Sequence, residues 1–265
     1  MKISIVTATF NRGYIIKDAI EGVLKQSYKN YEYIVVDGAS KDDTVEILKE
    51  YEKKFHEVSE DSNGYKPTFR WVSEPDKGLY DAINKGIKMA TGDVVGIINS
   101  DDFFHRDDVF ATIAKGFEDP TIQVTFGNER IINPEQPDVN YRFEAPWYFC
   151  PFMFRIGLEP PHPTFYAKKE LFEKWGYYKT EYAISADFEL MMRFLLIHKA
   201  KYKYLNHTIL TFRNGGVSTD GNNRLMMNKE LVKACKVNNI FTCLPMVYLK
   251  YFFKIPELWF GKNKR

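Results

Sequence analysis

The chain has 265 residues, of which 45% are hydrophobic and 27% charged, the composition of a soluble globular protein with a full core. Its net charge of +2 argues against a nucleic-acid partner. The cysteines, at positions 150, 235 and 243, have neither zinc-ligand spacing nor an even disulfide set, so we expect a reducing cytosol. We also expect no signal peptide at the N-terminus and, without an apolar run of about eighteen residues, no membrane-spanning helix.

Up to residue 99, the sequence alternates between buried strands and amphipathic helices. The predicted strands are Lys2–Phe10, Tyr31–Val36, Phe69–Val72 and Val94–Ile98, and the predicted helices cover about 14–26, 42–55 and 79–90. This alternation predicts an α/β fold with a mostly parallel sheet covered on both faces. No G-x-G-x-x-G follows the first strand and no G-x-x-x-x-G-K-S/T occurs, which disfavours a dinucleotide dehydrogenase and a P-loop enzyme.

The central segment 71–104, WVSEPDKGLYDAINKGIKMATGDVVGIINSDDFF, carries the main candidate chemistry. Its second strand ends in Asn99-Ser100-Asp101-Asp102. Ligands of open α/β sheets bind outside the carboxyl ends of the strands. Two adjacent acids at that position can hold Mg²⁺ or Mn²⁺ and leave coordination sites for phosphate oxygens. The alternative interpretation is a polar turn that caps the next helix.

Asp37 ends the second predicted strand and is followed by Gly38. A carboxylate at this position could accept hydrogen bonds from a base N–H or a ribose hydroxyl. The alternative is an Asx turn that only shapes the loop.

The second half of the chain contains further predicted elements and three further candidate sites. We predict a helix at Asp107–Phe117, a strand at Ile122–Phe126, a loop-rich stretch over 131–146, helices at Lys169–Trp175 and 184–198, and strands at Tyr202–Leu205 and Ile209–Phe212. His162 lies in a proline-bound segment and is either a substrate contact or a packing residue. Asp187 opens a helix, where the helix dipole alone would favour an acid. The turn Arg213–Thr219 could bind an anion.

The last segment, Ile240–Arg265, combines many aromatic residues with five basic ones from Lys250 onward. Pro245 and Pro256 predict two short amphipathic pieces rather than one long helix. Such a segment suits a membrane interface, and the alternative is that it docks on the body of the protein.

Four stretches in a fixed order carry a resemblance to a known family: IVTATFNR, VDGASKDDT, SEPDKGLYDAINKGIKMATGDVVGIINSDD and SADFELMMR. Together they span roughly the first 215 residues and resemble the family 2 glycosyltransferases of the GT-A fold. The resemblance implies a mostly parallel, Rossmann-like central sheet flanked by helices, with a C-terminal helical extension. It also implies inverting, metal-dependent transfer from a nucleotide-activated sugar, in members that build bacterial surface polysaccharides.

The resemblance assigns roles to residues of the first half. It implies that Thr7 and Thr9 line the nucleotide pocket, that Asp37 contacts the base, and that Asp76 and Lys77 lie near the nucleotide or its phosphates.

The same resemblance assigns the metal and the base. Asn99-Ser100-Asp101 occupies the position of the family's Asp-x-Asp, with Asp101 as the metal ligand and Asp102 beside it. Asn99 departs from the first Asp of that pattern and brings no charge, which weakens the expected hold on a metal. Asp187 matches the general base, and Arg213–Thr219 resembles a loop that closes over the pyrophosphate.

From these assignments we expect a nucleotide-sugar-binding half at 1–110, an acceptor-binding half of the same domain at 111–220 and a helical tail at 221–265. The expected partners are Mn²⁺ or Mg²⁺, a nucleotide-sugar donor (a UDP-sugar in the first place) and a glycan or polyprenyl-diphosphate-linked acceptor. We expect a hexosyl- or N-acetylhexosaminyltransferase in the cytoplasm, with contact to the inner face of the membrane through the tail.

Two other classes of protein remain open at this point. A nucleotidylyltransferase would share the sheet and the acids, but it needs a glycine-rich basic loop where only Asn11-Arg12-Gly13 stands. A non-catalytic nucleotide-sugar-binding protein would tolerate loss of Asp101 or Asp187, and both acids are present.

Overall fold

The structure, a computed structural model, describes residues 1–104, 106–215 and 223–253, with the backbone alone over 136–142. The described residues form one nine-stranded sheet and nine α-helices. The strands are β1 Ile3–Thr9, β2 Tyr31–Asp37, β3 Thr68–Ser73, β4 Val94–Ile97, β5 Phe103–Phe104, β6 Val124–Asn133, β7 Gln136–Glu144, β8 Tyr166–Lys168 and β9 Tyr202–Arg213. The helices are α1 Ile16–Leu24, α2 Thr44–Glu57, α3 Leu79–Met89, α4 Val109–Gly116, α5 Lys169–Trp175, α6 Ala186–Met192, α7 Arg224–Val237, α8 Leu244–Tyr248 and α9 Lys250–Phe253. Two short 3₁₀ turns cover Pro151–Ile156 and His162–Thr164, and a π-helical turn covers Arg193–Ile197.

The first four long strands build the parallel part of the sheet. Strand order across the sheet is β3-β2-β1-β4-β8-β6-β9-β5, and β7 pairs with β6. β1 pairs in parallel with β2 and β4, and β2 pairs in parallel with β3. In this register Thr9 lies opposite Asp37, and Asp37 lies opposite Ser73. The carboxyl ends of three strands therefore meet at one edge, as the predicted α/β fold requires.

Both faces of this parallel part are covered, which explains why its strands read as continuous apolar runs. Alternate side chains of β1 enter different cores: Val6 packs with residues of α3, and Ile5 packs with residues of α1 and α2. The helix α3 lies very close to β1, because a Cβ on Gly86 would stand 2.3 Å from Val6 Cγ1. Any larger residue at position 86 would push α3 away from the sheet.

The second half of the sheet mixes strand directions and departs from two predictions. The loop-rich prediction over 131–146 is wrong, because β6 and β7 form an antiparallel hairpin there. Pro134 lies in the turn between them, and β7 pairs only with β6 among the described strands, so Pro137 stands on an edge strand where proline is tolerated. The two strands predicted over 202–212 are one strand, β9, whose pairing with β6 shifts register on both sides of Asn128.

The described part of the C-terminal tail packs partly on the body. Val247 of α8 is fully buried, and Lys250 is only 4% exposed. The hydroxyl of Thr242 donates a 2.5 Å hydrogen bond to the carbonyl of Arg155, within the 3₁₀ turn Pro151–Ile156. The remainder of the tail, 254–265, lies outside the described residues. Among the residues that are described, none of the helices has the length and apolar character needed to cross a membrane.

Candidate active site

A cavity of about 460 Å³ opens beyond the carboxyl ends of β1 and β4. Its walls come from both halves of the chain. The lining residues include seven of those predicted from sequence, namely Thr9, Asp76, Asn99, Ser100, Asp101, His162 and Asp187. Of the other predicted residues, all within the described part, none belongs to the lining: Thr7, Asp37, Lys77, Asp102 and Arg213. The cavity therefore joins the candidate metal ligand and the candidate base in one space.

The loops that follow β1 and β2, at one edge of the cavity, hold each other in place. Asn11 and Ala39 are non-glycine residues with positive φ, at 51° and 62°, a conformation that needs surrounding support. The Ser40 hydroxyl oxygen accepts a 2.7 Å hydrogen bond from the backbone N–H of Asn11. In return, Asn11 Oδ1 accepts one of 2.8 Å from the N–H of Lys41. This edge is rigid before any ligand arrives.

The two threonines of β1 differ in their environments. Thr7 is fully buried: its hydroxyl donates to the carbonyl of Ile98 at 2.9 Å and accepts from Tyr33 at 3.0 Å. Thr9 is 5% exposed, and its hydroxyl is without a partner among the described residues. A buried hydroxyl on a cavity wall is available to a bound ligand. Thr7 supports β4 from behind, and Thr9 is the residue that faces the site.

Asp37 lies beneath the cavity, where its carboxylate organises the strand ends. Oδ2 accepts hydrogen bonds from the Ser40 N–H at 3.0 Å and from the Ser73 hydroxyl at 2.6 Å, while Oδ1 accepts from the Ser40 hydroxyl. The side chain is fully buried. A base contact by Asp37 stays a prediction, and in this geometry its acceptor atoms are taken by two serines.

The loop after β3 brings Asp76 but not Lys77 to the cavity. A Cβ on Gly38 would lie 2.6 Å from Asp76 Oδ2 and 3.3 Å from Phe10 Cδ2, so glycine at 38 lets both groups approach the backbone. Phe10 is 55% exposed on the cavity wall, a position that the sequence motifs did not single out. Lys77 is exposed, and its backbone N–H donates to Asp81 at 3.0 Å.

The two acids after β4 face in different directions. Asp101 lines the cavity, whereas Asp102 is fully buried. Asp102 accepts hydrogen bonds from Asn99 Nδ2 at 2.8 Å and from the backbone N–H of Arg213 at 3.1 Å. Burial, and next the charge of Asp101, raise the pKa of Asp102 to about 8. Metal ligation by Asp102 stays a prediction. In the observed structure its carboxylate connects the side chain of Asn99 to the backbone at the end of β9.

Arg213 reaches the acidic turn from behind. Its Nη1 donates to the carbonyl of Asp101 at 2.9 Å, its Nη2 pairs with Asp18 Oδ2 at 2.5 Å, and its guanidinium lies 4.8 Å from the centre of the Phe103 ring. The side chain thus fixes the Asp101 backbone. A phosphate contact by Arg213 stays a prediction, and positions 216–219 of the predicted closing loop lie outside the described residues.

Asp187 sits in the first turn of α6, as the sequence predicts, with its side chain 24% exposed. Its Oδ1 accepts a 2.8 Å hydrogen bond from the N–H of Phe188 and lies 3.5 Å from the Tyr80 hydroxyl. Its Oδ2 lies 4.0 Å from His162 Nδ1. Burial raises the pKa of Asp187, and His162 opposes that rise. Burial lowers the pKa of His162, against the opposing charge of Asp187.

Helix α3 carries two polar side chains, Tyr80 and Asn84, that hold parts of the second half of the chain and that its amphipathic pattern did not single out. Tyr80 donates a hydrogen bond to the carbonyl of Ile184, and its ring stacks on Tyr178 with centroids 5.7 Å apart. Four residues further along, Asn84 donates to the Tyr178 carbonyl at 2.8 Å and accepts from the Tyr178 N–H at 3.0 Å. Polar groups at i and i+4 inside an apolar stripe were the available sequence signal.

Glu230 of α7 is a second group missed from sequence. Its carboxylate accepts three backbone hydrogen bonds, from Ala183 at 2.7 Å, Ile184 at 3.0 Å and Ser185 at 2.9 Å. Ala183 and Ile184 line the cavity, and Ser185 precedes α6. One glutamate among several charged residues of α7 carries no local signal for such a contact, since its partners lie far away in the sequence.

The cavity wall supplies too few oxygen atoms to bind a hard cation alone, so a bound ligand would have to supply further oxygen atoms. The described residues hold no cluster of three or more His, Cys, Asp or Glu side chains able to bind a metal. Asp101 offers a carboxylate, and Asn99 offers an amide oxygen, since its nitrogen donates to Asp102. Mg²⁺ and Mn²⁺ commonly take one or two protein oxygens and complete their shell with phosphate and water. The donor set suits a metal that arrives with a diphosphate.

Comparison with known proteins identifies the family. The family model described as Glycosyl transferase family 2 matches residues 4–178. An uncharacterized glycosyltransferase of Mycobacterium tuberculosis is 31% identical over 201 residues, 74% of this chain and 69% of the relative. A PGL/p-HBAD biosynthesis glycosyltransferase of Mycobacterium bovis is 22% identical over 234 residues, 87% of this chain and 82% of the relative.

Solved structures share the fold at low sequence identity. Staphylococcus aureus TarS 1-349 in complex with UDP-GlcNAc has a TM-score of 0.63 and 16% identity, covering 88% of this chain. This chain spans 66% of that TarS chain. The mannosyltransferase PcManGT from Pyrobaculum calidifontis, in complex with GDP-Man and Mn²⁺, has a TM-score of 0.62 and 17% identity over 98% of this chain and 73% of its own.

These matches agree with the resemblance seen in the sequence, and they favour glycosyl transfer over nucleotidylyl transfer. The chain belongs to glycosyltransferase family 2 and has the GT-A fold.

Proposed function

We propose that this protein is an inverting, metal-dependent glycosyltransferase that moves a hexosyl or N-acetylhexosaminyl group from a nucleotide-sugar to a hydroxyl of a glycan or lipid-linked acceptor. The observation that carries the proposal is that Asp101 and Asp187, far apart in the sequence, line one cavity of about 460 Å³. Inversion by one displacement requires the leaving group and the base on opposite sides of the sugar. A cavity lined by both acids is in keeping with that requirement.

The donor's nucleotide would occupy the rigid edge formed by the loops after β1 and β2. Thr9 offers an unpartnered hydroxyl there, Phe10 offers an exposed aromatic face, and Asp76 offers a carboxylate. An aromatic face suits a base by stacking, and a carboxylate accepts hydrogen bonds from ribose or base. A UDP-sugar is the first donor to test, in keeping with the UDP-GlcNAc bound by TarS and the GDP-Man bound by PcManGT.

The cation, Mn²⁺ or Mg²⁺, would be held by Asp101 and by the amide oxygen of Asn99, together with the donor's phosphates. When bound, it neutralises the charge that grows on the leaving diphosphate. Arg213 and Asp102 would position the two residues that hold the cation. Arg213 donates to the backbone carbonyl of Asp101, and Asp102 accepts from the side-chain nitrogen of Asn99. The neutral Asn99 lowers the charge of the site, so we expect the metal to bind well only with the donor present.

Asp187 would take the proton from the acceptor hydroxyl. Its Oδ1 is held by the Phe188 N–H at 2.8 Å, so Oδ2 is the atom left for the acceptor. A base is most effective when its pKa approaches the working pH, and burial moves the pKa of Asp187 in that direction. Three backbone contacts to Glu230 hold the segment that leads into this helix.

The acceptor would be a surface polysaccharide or glycolipid precursor at a membrane. One relative, from Mycobacterium bovis, is named as a PGL/p-HBAD biosynthesis glycosyltransferase. Residues 224–265 contain nine basic and two acidic side chains, although the whole chain carries only +2. Phe241 and Phe252 are exposed to 71% and 69% in the same region. Exposed aromatics beside basic groups suit an anionic bilayer surface.

The direct test uses the purified protein with a panel of UDP-, GDP- and dTDP-sugars. We expect one donor to raise the melting temperature in the presence of Mn²⁺ and to be hydrolysed slowly without acceptor. Asp101→Ala should lose both effects, and Asp187→Asn should keep the stabilisation but lose turnover. No stabilisation by any nucleotide-sugar, with or without the metal, would contradict the proposal.

A further inference from the structure

We propose that His162 is a second catalytic residue, which accepts from Asp187 the proton that leaves the acceptor hydroxyl. The inference rests on the proposed function, because it takes Asp187 as the general base. It adds to that function a route by which the proton leaves the Asp187 carboxylate within the cavity.

The position of the His162 ring is fixed by its segment. Prolines flank it on both sides, and the N–H of Phe165 donates to the His162 carbonyl at 3.0 Å. The hydroxyl of Thr164 lies 2.8 Å from the carbonyl of Pro161 and 3.1 Å from that of Gly127, which ties the turn to β6. The ring is 12% exposed and lines the cavity. A fixed, nearly buried imidazole on the wall of a reaction cavity is suited to proton transfer.

Each nitrogen of the ring has its own partner. Nε2 lies 2.8 Å from the hydroxyl of Tyr178, and Nδ1 lies 4.0 Å from Asp187 Oδ2. Tyr178 is in turn held by two backbone hydrogen bonds to Asn84 and by stacking on Tyr80. The Tyr178 contact is a full hydrogen bond and the Asp187 contact is not. Because a phenol hydroxyl can donate or accept, this contact is compatible with a ring proton on Nε2.

We assign the proton of the neutral ring to Nε2, which donates to the Tyr178 oxygen. Nδ1 then faces the Asp187 carboxylate with a lone pair. Two acceptors do not attract each other, and a separation of 4.0 Å agrees with that. Once Asp187 carries a proton, its O–H can donate to Nδ1, and the gap can close to an ordinary hydrogen bond of about 3 Å. Nδ1 of His162 and Oδ2 of Asp187 therefore form no hydrogen bond before Asp187 takes the acceptor proton, and they can form one afterwards.

The charged and titratable groups around the ring are consistent with a neutral starting state. Burial lowers the pKa of His162, and Asp187 of α6 is the charge that opposes this. Tyr80 of α3 and Tyr178 are phenols whose pKa burial raises far above the ordinary value, so both stay neutral. The charge of Glu159, on the same segment as His162, also raises the pKa of Tyr80. The charge of Arg193 opposes the rise in the pKa of Tyr178.

The reaction balances in two steps. First, the acceptor oxygen bonds to the anomeric carbon, the bond from that carbon to the phosphate oxygen breaks with its electron pair leaving on the diphosphate, and the acceptor proton moves to Asp187 Oδ2. Second, this proton moves from Oδ2 to His162 Nδ1, which leaves a carboxylate and an imidazolium. The imidazolium returns the proton to water when the products leave.

The test compares four variants at saturating donor and acceptor. His162→Gln should lower kcat about 10- to 100-fold while the KM of the donor changes less than about threefold. Tyr178→Phe removes the partner of Nε2, so the ring proton can move to Nδ1, and kcat should fall in the same direction. In His162→Ala, added imidazole should restore part of the lost kcat in a saturable way, which a purely structural role would not allow. His198→Gln is the matched control, because His198 is exposed and stacks on Trp175.

The outcomes separate this proposal from the function beneath it. Unchanged kcat in His162→Gln, or a loss in His162→Ala that imidazole does not relieve at any concentration, overturns the role of His162 and leaves the glycosyltransferase assignment intact. A ¹⁵N spectrum that finds the neutral ring protonated on Nδ1 in the wild type also overturns it. Full activity of Asp187→Asn would instead remove the base and with it the proposed mechanism.

Discussion

The carboxylate of Glu230 accepts a 2.9 Å hydrogen bond from the backbone N–H of Ser185, two residues before Asp187. The same side chain accepts from Ala183 and Ile184. Helix α7 therefore holds the segment that shapes the cavity wall and carries the candidate base. Helix α7 for this reason supports the candidate active site, although it lies beyond the residues matched by the family model.

Replacing Glu230 should impair catalysis through Asp187. Glu230→Gln keeps the shape but offers fewer acceptor sites to three N–H groups, so we expect kcat to fall about tenfold. The donor's dissociation constant should be little changed, because the loops after β1 and β2, where we propose that the nucleotide binds, make no contact with Glu230 in the hydrogen bonds described above. Glu173→Gln is the control, since Glu173 pairs only with Lys169 on the surface of α5 in the described structure. Equal kcat in the two variants would show that the Glu230 contacts do not position the base.

Asp101 and Asp102 should respond differently to substitution. Asp101→Ala should abolish Mn²⁺-dependent donor binding in calorimetry while leaving the melting temperature of the free protein unchanged, because Asp101 is part of the cavity wall. Asp102→Ala removes a fully buried acceptor of two hydrogen bonds and should lower the free energy of unfolding by roughly 1–3 kcal/mol. Undiminished metal-dependent donor affinity in Asp101→Ala would remove Asp101 from the metal site.

Asp187→Asn should cut kcat roughly 100-fold or more while donor binding is retained, because an amide cannot take the acceptor proton. The wild-type enzyme should also lose activity as pH falls, since the carboxylate must be ionised. Burial raises the pKa of Asp187, so the acidic limb of the kcat/KM profile should lie above the ordinary aspartate value of about 3.9. A limb at or below that value, or near-normal turnover of Asp187→Asn, would contradict its role as base.

The strands and helices of the parallel half are close to their predicted bounds, because each is encoded by a local apolar period. Of the acids predicted at strand ends, Asp101 lines the cavity, and its role stays a prediction. What the sequence could not give is the direction of each side chain. Asp37 and Asp102 lie outside the cavity lining, where Ser73 of β3 donates to Asp37 and the N–H of Arg213 of β9 donates to Asp102, two partners that are distant in sequence. Glu230 was missed for the same reason, since its partners are also distant in sequence.

Glu32, at the opposite end of the sheet, should govern acid stability. It is 1% exposed and accepts hydrogen bonds from Ser4 at 2.6 Å, the Thr91 N–H at 2.6 Å and Arg70 at 2.7 Å, with Lys2 at 3.3 Å. Burial alone would raise its pKa, but the hydrogen bonds and the two cations outweigh it and lower the pKa to about 2.

Because the folded pKa lies below the unfolded one, this contribution is fully present above about pH 4.5 and is lost as pH falls towards 2. Glu32→Gln should therefore lower the free energy of unfolding by about 3 kcal/mol at pH 7 and by much less near pH 2. Urea titrations at both pH values measure the difference. A penalty that does not shrink in acid would mean that the ionised form of Glu32 is not what stabilises the fold.

The tail should have two separable roles, one in packing and one in membrane contact. Val247 is buried against the body, whereas Phe241 and Phe252 are exposed to 71% and 69%. The double substitution Phe241→Ser and Phe252→Ser should leave the melting temperature unchanged and weaken co-sedimentation with anionic liposomes at low salt at least about tenfold, since each large apolar side chain contributes about 1.5–3 kcal/mol on full burial. Val247→Ala is the matched control: the cavity it leaves should lower stability by roughly 1–2 kcal/mol without changing liposome binding.

Nearby basic groups add about 1 kcal/mol each at an anionic surface, so binding by the wild type should fall steeply with salt. If the wild-type protein does not co-sediment with anionic liposomes at low salt, the prediction of a membrane contact is wrong.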